Sequence, residues 1–370
     1  MTNRRPENES KDAIVLLAKR PGVTSFSSLK IIKKILGTKK IGHTGTLDSF
    51  AQGLLVCCSG ALTRLAGLIT EFDKTYEAVI EFGSETDTLD PTGKVVKRAP
   101  LPTLHAFLNS LKKFSGKMNQ TPPAFSAIKI GGARASDILR KGDRVEIPAR
   151  EIFVYGSKLK EIQFEDDGSK TFSCETSDDL LCPENEKNLA RKIKYARVEF
   201  RVSKGTYIRS LARDIGCDCE SAAHLAGLLR TSVGAFSLRD AAFCGELTPF
   251  TIQSVVRALE SGCAERDIVM ESAEKEVLEK LQGMSPDLAR ACGFGVALLK
   301  AERADDFFHG RPVKKSFFAS LQENCEAKKT REQDCGKYAV FLEKNATVFC
   351  GVVRREGERF FYEFVLSGKQ

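Results

Sequence analysis

Two segments far apart in the chain carry the same period of two, apolar side chains alternating with mostly polar ones. In the first, Tyr76, Ala78, Ile80 and Phe82 alternate with Thr75, Glu77, Val79 and Glu81; in the second, Ala196, Val198, Phe200 and Val202 alternate with Arg197, Glu199 and Arg201. A period of two marks a strand with one face in a core and the other toward solvent. The chain must therefore build a sheet covered on at least one side, and Tyr76 opens the buried face of the first strand.

Around these strands the pattern changes. Ile14-Val15-Leu16-Leu17 reads as a strand broken by Pro21-Gly22, and Thr24-Ser25 cap a helix on which Leu29, Ile32 and Leu36 fall at helical spacing before Gly37 ends it. Lys33, Lys34, Lys39 and Lys40 make the exit of that helix basic, which reads as a solvated face. A Gly-rich stretch, Gly42-His43-Thr44-Gly45-Thr46-Leu47-Asp48, follows, and Gly53-Leu54-Leu55 reads as the start of another helical pattern. After the second strand, Gly205-Thr206-Tyr207 turns the chain into an amphipathic helix with Ile208, Leu211, Ala212 and Ile215 on one side and Arg209 and Arg213 on the other. A strand, a Gly turn and a helix with Arg in its first turn can aim a cation at one spot.

Residues from about 250 to 299 look helical, and beyond Phe307 short β-like pieces (Tyr338-Ala339-Val340-Phe341, Thr347-Val348-Phe349, Phe360-Phe361-Tyr362) form a small all-β module. The expected organisation is α+β: a first domain over residues 1–250, a helical connection over 251–300 and a β-module over 301–370. At 370 residues and 42% apolar content the chain can bury such a core, and it is not a disordered composition. No run of about 18 apolar residues occurs and the first dozen residues are polar, so the expected setting is the cytoplasm without a membrane span. The twelve cysteines include no pairs spaced for zinc, and no metal is expected.

The net charge of +8 is unevenly spread. Glu165 to Glu186 holds eight acids against one base, leaving +15 over the rest, a surplus suited to a polyanion such as nucleic acid. The acidic stretch has no period and reads as an exposed insertion in a hairpin, at about residues 164–190.

Only four histidines are present and no G-x-S-x-G elbow occurs, so a Ser-His-Asp triad is not expected. Asp87 and Asp90, in Thr86-Asp87-Thr88-Leu89-Asp90-Pro91-Thr92-Gly93, read better as Asx caps of a hairpin turn than as metal ligands. Asp48 has two readings on physics alone: an N-cap for a helix starting near Ser49, or a carboxylate held on a rigid loop as nucleophile or base.

The stretch Lys40-Ile41-Gly42-His43-Thr44-Gly45-Thr46-Leu47-Asp48-Ser49-Phe50-Ala51-Gln52-Gly53-Leu54-Leu55 resembles the motif of the TruB family of tRNA pseudouridine synthases. Further motifs follow in the family's order: Arg20-Pro21-Gly22-Val23-Thr24-Ser25, Lys74-Thr75-Tyr76, Thr86 to Asp90, Gln120-Thr121-Pro122-Pro123-Ala124-Phe125-Ser126-Ala127-Ile128-Lys129, Gly205 to Leu211, and Ala223-His224 through Arg230. The resemblance spans about residues 13 to 240. It implies a pseudouridine-synthase fold, with a mixed, mainly antiparallel sheet and flanking helices, and isomerisation of uridine 55 in the T loop of tRNA without cofactor or metal. It makes Asp48 the nucleophile, Tyr76 the ring that stacks on the target base, Arg209 the basic partner of the aspartate, and Tyr207 a neighbouring aromatic. It makes His43 an opener of the T loop and Leu228 an apolar pocket wall. On this reading Arg209 keeps Asp48 ionised by lowering its pKa.

The end of the chain, through Phe308-His309-Gly310-Arg311-Pro312-Val313, resembles a PUA module that would extend the RNA surface with Arg311, Lys314 and Lys315. Ser49 stands where the family has Pro, Phe125 where it has Tyr, Leu229-Arg230 where it has an Arg pair, and Lys19-Arg20-Pro21 where it has D-K-P. The expected partner is the tRNA T arm, with a monomeric enzyme needing no obligate protein partner. The rival readings are a guide-RNA-dependent synthase of the same superfamily and a tRNA-folding chaperone using the same surface.

Overall fold

The computed structural model describes residues 12–126, 129–130, 133–134, 138, 147–173, 186–261, 270–324 and 336–366. A ten-stranded sheet runs in the order β1 (Ile14–Lys19), β3 (Gln52–Ser59), β13 (Ala223–Val233), β4 (Lys74–Phe82), β12 (Ile193–Val202), β10 (Arg150–Phe164) and β11 (Phe172–Ser173). Off this path β2 (Ile41–His43) pairs with β3, β7 (Gly116–Gln120) with β10 and β14 (Phe236–Ser237) with β13. Two hairpins, β5 (Ser84–Thr86) with β6 (Val95–Arg98) and β8 (Lys129–Ile130) with β9 (Ala133–Arg134), stand apart from it. Within the large sheet, among the described residues, only β13 and β3 pair in parallel, through Leu229 with Gln52 and Arg230 with Gly53. The expected mixed, mainly antiparallel sheet with flanking helices is what forms.

The two alternating segments are the central β4 and β12, antiparallel with Tyr76 opposite Phe200 and Ala78 opposite Val198. Their inward residues join Ile152, Val154 and Leu159 of β10 in a core covered by the helices Leu104–Lys113 and Ile208–Asp218, which contribute Phe107, Leu211 and Ile215. The helix Ser25–Leu36 is capped as its sequence dictates: the Thr24 side chain accepts from Ser27 N, and Gly37 closes it in the left-handed region at φ 58°. Its buried Leu29, Ile32 and Ile35 pack with β1 and β3.

The helical reading of Gly53-Leu54-Leu55 is corrected: these residues belong to β3, every residue of which is buried. An unbroken apolar run has no period to separate a strand from a buried helix, and this one lies between β1 and β13, inside the sheet. The acidic stretch lies between β10 and β12, which pair antiparallel, as an insertion in a hairpin does. Its near end packs back on the sheet through β11 and through Arg191, which pairs with Asp166 and Asp167. Residues 174–185 of it, and Ala127 and Ile128 of the Pro-Pro motif, lie outside the described residues.

Three helices, Ile252–Ser261, Met270–Glu279 and Pro286–Ala291, precede a second sheet of five strands in the order β16 (Phe318–Gln322), β15 (Gly295–Leu299), β17 (Gly336–Leu342), β18 (Asn345–Glu356) and β19 (Arg359–Val365). The stretch expected to be helical up to 299 thus becomes a strand at Gly295. The two sheets are not independent: Val296, Ala339, Phe341 and Val352 share a buried cluster with Ile14, Leu16, Leu54 and Val56. Among the described residues no helix is long and apolar enough to cross a membrane.

Candidate active site

The Gly-rich stretch becomes β2 and then an irregular loop, Thr44 to Ala51, that leads into β3. No helix starts at Ser49, so Asp48 is not a cap. The loop is instead fixed from several sides. The Ser25 hydroxyl donates to Leu47 O and accepts from Leu47 N, both at 2.8 Å. Thr70 Oγ1 donates to Thr44 O at 2.7 Å. Arg230, only 2% exposed, donates from Nε to Leu54 O at 2.7 Å and from Nη2 to Gly45 O at 3.2 Å. Lys19, 1% exposed, donates from Nζ to Arg20 O, Val23 O and Ser49 O. Burial lowers the Lys19 pKa to about 7, against the opposing pull of Asp48.

Gly53 permits the close approach of β3 to β13. Its φ is +115°, and a Cβ there would stand 2.4 Å from Arg230 O and 2.6 Å from Arg230 N, both backbone atoms.

Arg209 converges on this loop from the first turn of the helix Ile208–Asp218. Its Nη2 donates to Asp48 Oδ1 at 3.0 Å, and its Nε lies 3.0 Å from Asp48 Oδ2 without hydrogen-bond alignment. The same guanidinium donates to Thr88 O at 2.9 Å and Phe125 O at 3.2 Å, and its Nη1 is 3.4 Å from Asp90 Oδ2. Asp90 is fixed in turn, its Oδ1 accepting from Thr88 Oγ1, Thr92 N and Thr92 Oγ1. Asp87 Oδ1 accepts from Lys94 N, so both acids are the turn caps their spacing predicts.

The Asp48 side chain is 34% exposed at the mouth of the site. Its pKa is raised: burial is the largest cause, Arg209 opposes it, and the nearby Asp90 adds to it. Arg209 acts on this carboxyl in the expected direction, but the net shift is upward. The guanidinium does lower it, but burial by the surrounding loop outweighs that attraction.

Half-buried Tyr76 packs with Leu47, Ala51, Phe50 and Leu228 in one cluster beside the loop. Tyr207 precedes the Arg209 helix. Its backbone N donates to Gln120 Oε1 at 2.8 Å, its O accepts from Gln120 Nε2 at 3.1 Å, and the Arg150 guanidinium lies 4.6 Å from its ring centroid. His43 on β2 is half-buried. Its Nδ1 has no hydrogen-bond partner among the described residues, and burial first, then Arg230, lowers its pKa. The structure thus brings Asp48 to Arg209 directly and sets Tyr76 and Leu228 in the cluster that contains Leu47.

Gln120, Lys19 and Arg230 are not among the site residues read from the sequence, and Asp90 is read there as a turn cap and not as a partner of Arg209. A usable signal existed for Lys19 and Arg230, each a charge closing an apolar run that becomes a buried strand. Among the described residues no three His, Cys, Asp or Glu side chains are grouped to hold a metal. A cleft of about 790 Å³ lies elsewhere, between Phe72 and Arg201 near the large sheet and Tyr338 and Arg355 of the second, and no residue of the Asp48 site lines it.

A family model described as TruB family pseudouridylate synthase, N-terminal domain, matches residues 33–180. The chain is 41% identical over 328 residues to a tRNA pseudouridine synthase B of Treponema denticola, covering 86% of this chain and 88% of that one. It is 33% identical over 371 residues to a protein of the same name from Treponema pallidum, covering 96% and 97% of the two chains. Among solved structures, a Cbf5-Nop10-Gar1 complex contains a chain that matches at TM-score 0.58 with 20% identity, covering 96% of this chain and 85% of that one. At that identity the likeness speaks to the fold, a pseudouridine-synthase architecture, and to nothing finer.

Proposed function

This chain belongs to the TruB family of pseudouridylate synthases, and from that premise we propose that it converts uridine 55 in the T loop of tRNA to pseudouridine, acting as a monomer in the cytoplasm. The observation that carries the reading is the pairing of Asp48, on a loop tied down by Ser25, Arg230 and Lys19, with the buried guanidinium of Arg209.

The reaction needs a group that bonds to the nucleotide and later leaves. The N1–C1′ bond breaks, the base turns, C5 bonds to C1′ in place of N1, the C5 proton passes to water, and N1 takes up a proton from water, so that no atom is gained or lost overall. A carboxylate serves as such a nucleophile and leaving group. Asp48 takes this role, and Arg209 positions it and favours its ionised form against the burial that disfavours it.

A stacked uridine is out of reach, so it must be flipped outward at a cost of a few kcal/mol. Tyr76 replaces the lost stacking, worth about 1–3 kcal/mol per base. Leu228 walls the pocket and excludes water, Tyr207 offers the neighbouring aromatic surface, and His43, whose pKa burial lowers, meets the T loop. The second sheet, resembling a PUA module, adds Arg311, Lys314 and Lys315 to the RNA surface.

The test is to incubate an unmodified tRNA transcript with the purified chain and map pseudouridine. Tritium release from C5-labelled uridine should be abolished in Asp48→Asn while binding stays within about tenfold, roughly 1.4 kcal/mol. Normal turnover by that variant would remove Asp48 from the mechanism.

A further inference from the structure

The helix Ser25–Leu36 presents a face that the reaction above does not use. Phe26, on its first turn, is 66% exposed, more than any other large apolar side chain described. Phe26, Lys30, Lys33 and Lys34 are spaced i, i+4, i+7 and i+8, which puts them on one side of a helix. Lys33 Nζ stands 4.8 Å from the Phe26 ring centroid, so ring and ammonium on this row are in contact. Leu29, Ile32 and Ile35 occupy the buried side.

The helix contains no acidic residue. Past Gly37 the chain continues through exposed Lys39 and Lys40 into β2 and His43. At its other end Ser25 grips Leu47, the neighbour of Asp48. The helix thus starts at the residue that grips the Asp48 loop and leads, through Lys39 and Lys40, to the strand that carries His43.

A solvated face accounts for the lysines, and Lys33 partners the Phe26 ring, yet a ring 66% exposed still offers a surface on which a planar group can stack. A protein groove would welcome the ring, yet closing over it would desolvate several lysines for which no acid is supplied on the helix. An unpaired stretch of RNA satisfies both, with a base on the ring and phosphates on the ammonium groups.

We propose that this face is a second RNA platform outside the catalytic pocket, on which a base of the substrate RNA stacks on Phe26 while Lys30, Lys33, Lys34, Lys39 and Lys40 take the adjoining phosphates. The platform rests on the tRNA reading and adds to it a binding site distinct from the pocket that holds the target uridine.

Equilibrium binding of an unmodified tRNA transcript to the full chain tests it. Phe26→Ala weakens binding about tenfold, within the range for one stacked base, and Phe26→Trp restores it whereas Phe26→Leu does not. The triple substitution of Lys30, Lys33 and Lys34 by Gln reduces the magnitude of the slope of log K against log salt by about 2–3. Lys112→Gln, on another helix, changes affinity by less than twofold. Both effects fall on affinity, with the single-turnover rate at saturating RNA close to that of the parent, which also shows that the variants fold.

Parental affinity in Phe26→Ala and in the triple variant overturns the platform, and full rescue by Leu overturns the stacking. If the parent chain makes no pseudouridine in tRNA, the functional reading fails instead; if it does while these variants bind normally, only the platform fails.

Discussion

Asp48 and Asp90 share one guanidinium: Arg209 reaches Asp48 Oδ1 through Nη2 at 3.0 Å and lies 3.4 Å from Asp90 Oδ2 through Nη1. Asp90 thus acts on Asp48 in two opposite ways. It anchors the arginine that favours the carboxylate, and its own negative charge raises the Asp48 pKa. Asp90→Asn separates them, because the amide oxygen can still accept from Thr92 N and hold the turn. The reactive form of Asp48 is the carboxylate, so activity falls as pH drops through its pKa, which lies above the ordinary value of 3.8. In Asp90→Asn the acid limb moves to lower pH, while the plateau rate drops on the order of tenfold to a hundredfold from the loss of a charged contact worth about 1.5–3 kcal/mol. A pH profile of tritium release checks both, and an unmoved acid limb would deny the charge coupling.

Much of this arrangement is legible in the amino-acid sequence. β4 and β12 announce themselves by period, and the helix Ile208–Asp218 by its spacing and its Gly turn. The Asp48 loop was legible as a rigid, Gly-flanked turn, and its resemblance to a family motif gave the aspartate a role. Three things were hidden for physical reasons. β3 has no alternation because both its faces are buried. The Arg209–Asp90 contact joins residues 119 apart, and nothing local at either end encodes it. The raised Asp48 pKa comes from burial, which a sequence does not display, whereas the opposing charge of Arg209 is visible in it.

Gln120 holds Tyr207 by both backbone groups and so sets the start of the helix that carries Arg209. The side chain is 2% exposed, and its loss leaves a backbone N–H and C=O without these partners. Gln120→Ala should lower the single-turnover rate by about tenfold or more with a smaller change in RNA affinity, because the misplaced group acts in the reaction step. Gln120→Glu, which can accept from Tyr207 N but not donate to Tyr207 O, should fall between. Equal effects on affinity and rate would instead point to general loosening of the fold.

Gly53 is a stricter case. Ala there places a methyl within 2.4 Å of the Arg230 backbone and requires a φ that side chains rarely adopt. The strain amounts to about 1–3 kcal/mol for the backbone conformation alone, before the clash is counted. Gly53→Ala should lower the thermal midpoint and cut activity through displacement of the nearby Asp48 loop. Gly37→Ala offers the comparison: its φ is +58° but the space is open, so it should cost less and leave turnover intact. Equal losses in the two variants would show that the approach of β3 to β13 does not matter.

Arg230 supplies the last test, because it touches loop and charge together. Its guanidinium ties Leu54 O, Gly45 O and Thr46 O across the segment that carries Asp48. A lysine lacks the planar fork: its three donors sit on one nitrogen and cannot span carbonyls that Arg230 reaches from three separate nitrogens. Arg230→Met and Arg230→Lys should therefore both destabilise the fold, by about 1–3 kcal/mol for the loss at the buried Leu54 carbonyl and less at the half-buried Gly45 and exposed Thr46 carbonyls, and Lys should rescue poorly. The charge has a separate readout. Arg230 contributes, after burial, to lowering the His43 pKa, so Met should move that pKa upward toward 6.5 and Lys should leave it nearer the parent. Titration of the His43 ring by NMR measures this in folded protein. A His43 pKa that moves equally in both variants would mean that the bracing of the loop, not the charge of Arg230, governs the histidine.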